Sequence, residues 1–173
     1  PKGTHVKLGI KRRNSAELLS FDVVRGDVPV NSVDAHFMIQ GTTGYVKVGK
    51  FGAKTYEEFF NALENLKEMG AKNYIVDLRS NSGGFLESAV YMTNEFLKRG
   101  SLIVYTEGKA QRRQDIEADG SGEFQDYPLA VLIDEWSASA SEIFAGCMQD
   151  NDRAIVVGRR SFGKGLVQRQ IPL

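Results

Sequence analysis

The sequence predicts an α/β fold, because helix-type and strand-type patterns alternate along the chain after residue 44. Apolar residues recur at helical spacing from Thr55 to Met69, and further helices are predicted over residues 85–98 and 140–149. Short apolar runs at residues 73–78 and 129–133 are typical of strands covered on both faces. With 173 residues, 42% of them hydrophobic, the chain is long enough to bury one sizeable core.

The first fifty residues alternate between apolar and polar side chains and therefore predict strands. Residues 6–11 and 18–24 form one predicted hairpin, and residues 33–39 and 44–51 form a second pair. A capping box of Thr55 and Glu58 predicts the start of the first helix, and Gly70 predicts its end. Further strands are predicted over residues 102–105, 111–117, 154–157 and 166–171.

Charge and cysteine content exclude several classes of function. The 22 Lys and Arg residues balance 22 Asp and Glu residues, so no global field favours nucleic acid or an anionic membrane. The single cysteine, Cys147, excludes an internal disulfide and a multi-cysteine zinc site. No apolar run approaches the ~20 residues of a membrane helix. The abrupt ends indicate a piece of a longer protein, so any leader or membrane anchor is expected outside it.

Residues 135–143 are the first candidate for chemistry. They join the predicted strand at 129–133 to a helix rich in small residues, and a serine at such a turn is presented rather than buried. The amide after that serine lacks an intrahelical partner and is a ready donor for a developing oxyanion. Ser137, Ser139 and Ser141 alternate, so the pattern alone does not choose among them, and helix capping would explain the serines without any catalysis.

The loop at residues 77–84 is the second candidate, because it leaves a strand, enters a helix and contains Gly83 and Gly84. Paired glycines let the backbone approach another group and expose amides that suit an anion or an oxyanion. A tight strand-to-helix turn would use the same glycines. The loop lacks the spacing of a phosphate-binding fingerprint.

The third candidate is the loop at residues 158–165, in which Lys164 lies between two glycines at the start of a predicted strand. Burial there would favour the neutral amine and make it a usable base, whereas most lysines are solvated surface charges. Gln168 would share the same strand face and hold the amine, unless it is an exposed strand residue. A Ser-His-Asp triad would need His5 or His36, but a Ser–Lys pair needs neither.

These stretches, in this order, resemble the carboxyl-terminal processing proteases, also called tail-specific proteases. The serine and lysine motifs together are specific, and the resemblance covers essentially the whole chain after residue 27. The matching pieces are G-Y-V-K-V at residues 44–48, the helix from Thr55, D-L-R-S-N-S-G-G at 77–84, S-A-S-A-S-E at 137–142, and F-G-K-G at 162–165 with Gln168.

The resemblance implies that residues 27–173 form a serine protease core, truncated at its C-terminal end, with an α/β fold similar to the ClpP/crotonase spiral. It implies that residues 1–26 are the closing hairpin of a truncated PDZ domain. By the same resemblance the nucleophile is Ser139, the general base is Lys164 and the residue that orients it is Gln168. The implied oxyanion donors are the amides of Gly83, Gly84 and Ala140.

The activity implied is peptide-bond hydrolysis through an acyl-enzyme, without a metal or cofactor. The expected partners are polypeptides with accessible C-termini, and the expected location is extracytoplasmic, in the periplasm or cell envelope. The alternatives are a non-catalytic binding module on the same fold, an inactive fragment of the protease, and an acyl-CoA enzyme of the crotonase type. Unpaired strand edges of the hairpin also predict self-association.

Overall fold

The structure is a computed structural model that describes residues 1–13, 17–27 and 30–168, and the chain divides into two compact units, Pro1–Val30 and Asn31–Leu173. In the first unit, β1 (His5–Lys11) and β2 (Leu18–Val24) pair as the predicted antiparallel hairpin. The assignment of this hairpin to a PDZ domain stays a prediction.

The second unit is built around a five-stranded mixed sheet. Its elements, in chain order, are β3 (Val33–Met38), β4 (Thr43–Val48), α1 (Thr55–Glu68), β5 (Asn73–Asp77), α2 (Leu86–Asn94), β6 (Leu102–Gly108), β7 (Gln111–Glu117), β8 (Leu129–Ile133), α3 (Ala140–Asp150) and β9 (Ile155–Gly158). The strand order is β3-β4-β5-β8-β9. Strand β3 runs antiparallel to β4, and β4, β5, β8 and β9 run parallel. Strands β6 and β7 form a separate antiparallel pair.

The core of this unit is rich in aromatic rings, as the apolar stripe of α1 predicts. Three phenylalanines are fully buried and meet edge to face, with ring centroids 6.0–6.4 Å apart. They are Phe59 of α1, Phe144 of α3 and Phe96, which follows α2. Such pairs contribute about 0.5–1.5 kcal/mol each beyond the burial of their surface. They hold α3, which begins directly after the serine turn, in a fixed position against α1.

The predicted capping box at the start of α1 is wrong. Lys54 is the N-cap residue and has no side-chain capping bond. The Thr55 hydroxyl accepts a hydrogen bond from the amide of Gly52 at 2.6 Å. The Glu58 carboxylate accepts the amides of Ser32 and Val33 at 2.6 and 3.0 Å. Glu58 therefore binds residues that are distant in sequence and Thr55 binds the preceding turn, so neither side chain caps the helix.

Other boundaries also differ from the prediction, because β4 ends at Val48 instead of residue 51 and β6 extends to Gly108 instead of residue 105. Helix α2 ends at Asn94 instead of residue 98, and Glu95 beyond it is buried, accepting hydrogen bonds from the Tyr56 hydroxyl and the Glu123 amide. The strand predicted at residues 166–171 is not formed over residues 166–168, and residues 169–171 lie outside the described residues. Over the part of the chain that is described, no helix has the length and apolar character to cross a lipid bilayer.

The parallel arrangement of β5, β8 and β9 brings their carboxyl ends to one edge of the sheet. The three candidate loops, at residues 78–84, 134–139 and 159–165, follow these three ends directly. In open α/β sheets, ligands bind outside the carboxyl ends of the parallel strands. The topology therefore collects all three candidate stretches at one place.

Candidate active site

The structure distinguishes the three alternating serines by burial. Ser137 and Ser141 are fully buried, and their hydroxyls donate to the carbonyls of Leu78 and Asn81, each at 2.8 Å. Ser139 is half-buried and lines two cavities. The outer serines are thus committed to holding the neighbouring loop, and Ser139 is the one presented to a ligand.

Ser139 lies at a sharp strand-to-helix turn, at the N-cap of α3, with φ 56° and ψ −113°. This backbone region is sparsely populated by residues other than glycine and costs about 1–3 kcal/mol. A strained serine between a strand and a helix is the geometry that exposes the nucleophile of α/β-hydrolases. The conformation of Ser139 therefore marks it as a candidate nucleophile on grounds independent of its motif.

Asn81 fixes the loop at residues 78–84 against the serine turn. It is fully buried, its side-chain oxygen accepts the amide of Gly83 at 2.9 Å, and its carbonyl accepts the amide of Ala138 at 3.1 Å. Gly83 has φ 94°, and a Cβ there would lie 2.8 Å from the Cβ of Ser139 and 2.9 Å from the amide nitrogen of Ala140. Only glycine permits this close approach.

The amides near Ser139 differ in whether they are already used. The Gly83 amide donates to the Asn81 side chain. Within residues 30–168, the amides of Gly84 and Ala140 donate no hydrogen bond. Gly84 and Ala140 line the same cavity as Ser139. The oxyanion role of Gly83, Gly84 and Ala140 stays a prediction, and the geometry favours the latter two as donors.

Asp77, the last residue of β5, anchors the start of the loop at residues 78–84. Asp77 is 1% exposed and accepts hydrogen bonds from the Tyr45 hydroxyl and the Arg79 guanidinium, both at 2.6 Å. Burial alone would raise the pKa of Asp77, but the hydrogen bonds from Arg79 and Tyr45 outweigh it and lower the pKa to about 2. Asp77 is therefore ionised across the physiological range and anchors the start of the glycine loop.

Glu142, to which the sequence analysis assigned no role, links the serine turn to the lysine loop. Its carboxylate accepts the amides of Ser139 and Lys164 at 2.8 Å, and the Ser161 hydroxyl and Gly163 amide at 2.7 Å. Burial alone would raise the pKa of Glu142, but these four hydrogen bonds hold it below its ordinary value. A glutamate three residues after a serine N-cap was the sequence signal that could have revealed part of this role.

Lys164 and Ser139 line the same two cavities, of about 430 and 460 Å³. The Lys164 side chain is exposed, contrary to the burial considered from the sequence, and within residues 30–168 its amine has no hydrogen-bond or ion-pair partner. Gln168 is exposed and lines the second cavity only. Because residues 164–168 form no strand, a shared strand face does not connect the two side chains.

The histidine of the second unit lies away from this site. His36 is an exposed residue of β3, the outer strand on the side of the sheet opposite to β9, and it lines neither cavity. The second unit therefore offers a serine, a lysine and open amides at one place. A candidate nucleophile, a candidate base and candidate amide donors in this arrangement are typical of the class of serine hydrolases.

Residues 42–173 match peptidase family S41, and the chain belongs to this family. It is 38% identical over 171 residues to a carboxyl-terminal-processing protease of Synechocystis sp., covering 97% of this chain and 40% of that protein. It is 33% identical over 167 residues to the carboxy-terminal processing protease CtpA of Bacillus subtilis, covering 96% of this chain and 35% of that protein. The chain thus spans between about a third and two-fifths of the length of the curated relatives it matches.

A solved structure gives the same result for the fold. The photosystem II D1 C-terminal processing protease has a TM-score of 0.75 and 26% sequence identity, covering 99% of this chain and 48% of that chain. The predicted family and its α/β fold are therefore confirmed. The catalytic roles of Ser139, Lys164 and Gln168 stay predictions.

Proposed function

We propose that this chain carries the catalytic centre of a serine endopeptidase that works with a Ser139–Lys164 dyad. The observation that carries the proposal is the backbone of Ser139, held at φ 56° beside cavities that Lys164 also lines. Strain of this kind persists only where the surrounding structure imposes it, and it concentrates at active sites. The same assignment is supported by the neighbouring serines, since the hydroxyls of Ser137 and Ser141 are hydrogen-bonded to backbone carbonyls and only Ser139 is presented to the cavities.

In the proposed reaction, bound substrate covers the exposed Lys164 amine and favours its neutral form by excluding water. The neutral amine accepts the proton of the Ser139 hydroxyl while the oxygen attacks the carbonyl carbon of a peptide bond. The amides of Gly84 and Ala140 donate to the developing oxyanion, and Gly83 holds their loop close to the serine. The proton then passes from Lys164 to the leaving amine. Water hydrolyses the ester that remains and restores Ser139. Gln168 is proposed to orient the Lys164 amine once substrate occupies the site.

The proposal extends to substrates and location. The relatives are named as carboxyl-terminal processing proteases, which supports polypeptides with accessible C-terminal tails as substrates. An extracytoplasmic location belongs to the same proposal. Because this chain spans between about a third and two-fifths of those relatives, the activity is proposed for the whole protein of which it is a part. Self-association through the edges of the β1–β2 hairpin is proposed for the isolated piece.

The test uses the full-length protein and an unstructured polypeptide substrate. Ser139→Ala and Lys164→Ala should each lower kcat/KM by at least about 10³-fold, since residues that act as a catalytic unit fail together. Lys164→Arg should fail as well, because a guanidinium stays protonated and cannot act as a base. Lys109→Ala, which removes an exposed lysine outside both cavities, is the matched control and should keep full activity. Retained cleavage in a folded Ser139 or Lys164 variant would refute the dyad.

A serine-reactive probe separates this proposal from a non-catalytic binding module on the same fold. The full-length protein should be labelled at Ser139, and Lys164→Ala should not be labelled at a comparable rate. Unlabelled protein that still binds polypeptide would support the binding module instead.

A further inference from the structure

A groove of about 430 Å³ extends from Ser139 along one face of α3. The opposite wall of the groove is the first half of β6, residues 102–105. At a rise of 1.5 Å per residue, the helical wall from Ser139 to Asp150 is about 16 Å long. The helical wall residues recur at helical spacing and are Ser139, Glu142, Ile143, Gly146, Cys147 and Asp150.

These dimensions fit an extended chain better than a single side chain. A strand advances about 3.3 Å per residue, so a groove of this length accommodates about five residues of extended polypeptide. Strand β6 is paired along one edge, with β7, and its other edge has no partner strand within the described residues. The Leu102 carbonyl at the start of β6 already accepts hydrogen bonds from the Cys147 thiol and the Asn151 side chain, so the edge available to a peptide is that of residues 103–105. An unpaired strand edge binds an extended peptide by adding it as a further strand.

Gly146 gives the groove its width at the middle. A glycine inside a helix is disfavoured relative to alanine, so its presence in α3 needs a reason. Packing does not supply one, because no heavy atom lies within 4 Å of the position that its Cβ would occupy. The position faces open space in the groove. The absent side chain therefore leaves room for a ligand rather than for a neighbour in the core.

The two ends of the groove differ in chemistry. Near Ser139, half-buried Ile143 and Val104 provide apolar contacts. At the far end lies the exposed carboxylate of Asp150, the last residue of α3. The C-terminal end of a helix adds a partial negative charge there. This end is therefore complementary to a basic side chain.

We infer that the groove between α3 and β6 binds one side of an extended polypeptide substrate. Gly146 determines the size of side chain accepted about three residues from the scissile bond, and Asp150 favours a basic residue about five residues from it. The groove is continuous with Ser139, so its occupant is the substrate chain. This inference rests on the proposed function.

The test compares variants of the full-length protein on a series of peptides that differ at the position facing Gly146. Gly146→Leu should raise KM at least 10-fold for peptides with a large residue there, and a peptide with glycine at that position should restore cleavage. Gly146→Ala adds a smaller side chain and should raise KM for the same peptides less than Gly146→Leu does. Gln149→Leu adds the same side chain to an exposed position of α3 outside the groove, and its kinetics should not change.

Equal cleavage of all peptides by Gly146→Leu, or a loss that the glycine peptide does not restore, would overturn the inference. If Gly146→Leu does not fold, the surface variant Asp150→Lys tests the inference instead. It should lower the preference for a basic over an acidic residue at the far position at least 5-fold, and an unchanged preference would overturn the inference. Binding of the same peptides to Ser139→Ala, followed by fluorescence anisotropy, tests the groove even if the dyad proves wrong.

Discussion

The serine turn and the lysine loop meet at one site but are held in very different ways. Residues 137–141 are tied to the neighbouring loop by two buried hydroxyls, and the following helix is anchored in the aromatic core. Residues 159–165 are mostly exposed and are tied to the turn by the Glu142 carboxylate and by the Phe162 amide, which donates to the Ser137 carbonyl at 3.0 Å. The proposed nucleophile is thus preorganised by the core, whereas the proposed base depends on a few surface contacts.

The largest expected effect comes from filling the space between the glycine loop and the serine turn. Gly83→Ala places a Cβ against the Ser139 Cβ and the Ala140 amide at a backbone φ of 94°. We expect the free energy of unfolding to fall by about 3 kcal/mol, from strain and overpacking together, and cleavage to be lost. Equilibrium urea denaturation and a peptidase assay measure the two effects.

Gly100→Ala is the matched control for Gly83→Ala. Gly100 has φ 83°, but nothing lies within 4 Å of an added Cβ, so only the backbone strain remains. The expected loss is about 1 kcal/mol with activity retained. Equal losses at the two positions would show that the close approach at Gly83 does not matter.

The next largest expected effect distinguishes Ser137, whose hydroxyl stabilises the fold, from Ser139, whose hydroxyl is presented to the cavities. Ser137→Ala removes a buried hydroxyl and leaves the Leu78 carbonyl without that donor, so we expect a loss of about 1–2 kcal/mol in the free energy of unfolding. Ser139→Ala should leave the stability nearly unchanged while abolishing cleavage. Thermal denaturation of both variants alongside the peptidase assay measures this contrast. A stable, fully active Ser137→Ala would contradict the account of the turn.

The smallest effect is a pH dependence of the lysine loop. The pKa of Glu142 is lower in the folded state than its ordinary value of 4.5, so its stabilisation is present above pH 4.5 and is lost as the pH falls through the lower folded value. Glu142→Gln offers one acceptor oxygen instead of two and should weaken the loop at neutral pH. Hydrogen-exchange protection of the Gly163 and Lys164 amides should therefore differ between wild type and variant at pH 7.

That difference in protection should shrink in acid, because protonated Glu142 also loses acceptor capacity. Amides of α1 serve as the internal control, since α1 makes no hydrogen bond to Glu142. Identical protection at pH 7 would show that Glu142 does not hold the loop.

Periodicity predicted the helices and most strands because those patterns are local to the chain. The contacts of Asn81 and Glu142 were not predictable in this way, since their partners are loops that come together only when β5, β8 and β9 align. The error at Glu58 has the same cause, because its partners Ser32 and Val33 are distant in sequence. The strand expected from residue 166 fails over residues 166–168, since alternation alone does not supply a neighbouring strand.

The torsion angles of Ser139 also affect how far the stability of the protein can be raised by selection. Any residue with a Cβ carries the same penalty at φ 56°, and glycine alone escapes it. A chain with glycine at this position would therefore resist denaturation better than the natural one, yet it would lack the hydroxyl on which hydrolysis is proposed to depend. Under the proposed role of Ser139, stability and turnover are opposed at this single residue, so selection for stability alone would favour inactive protein.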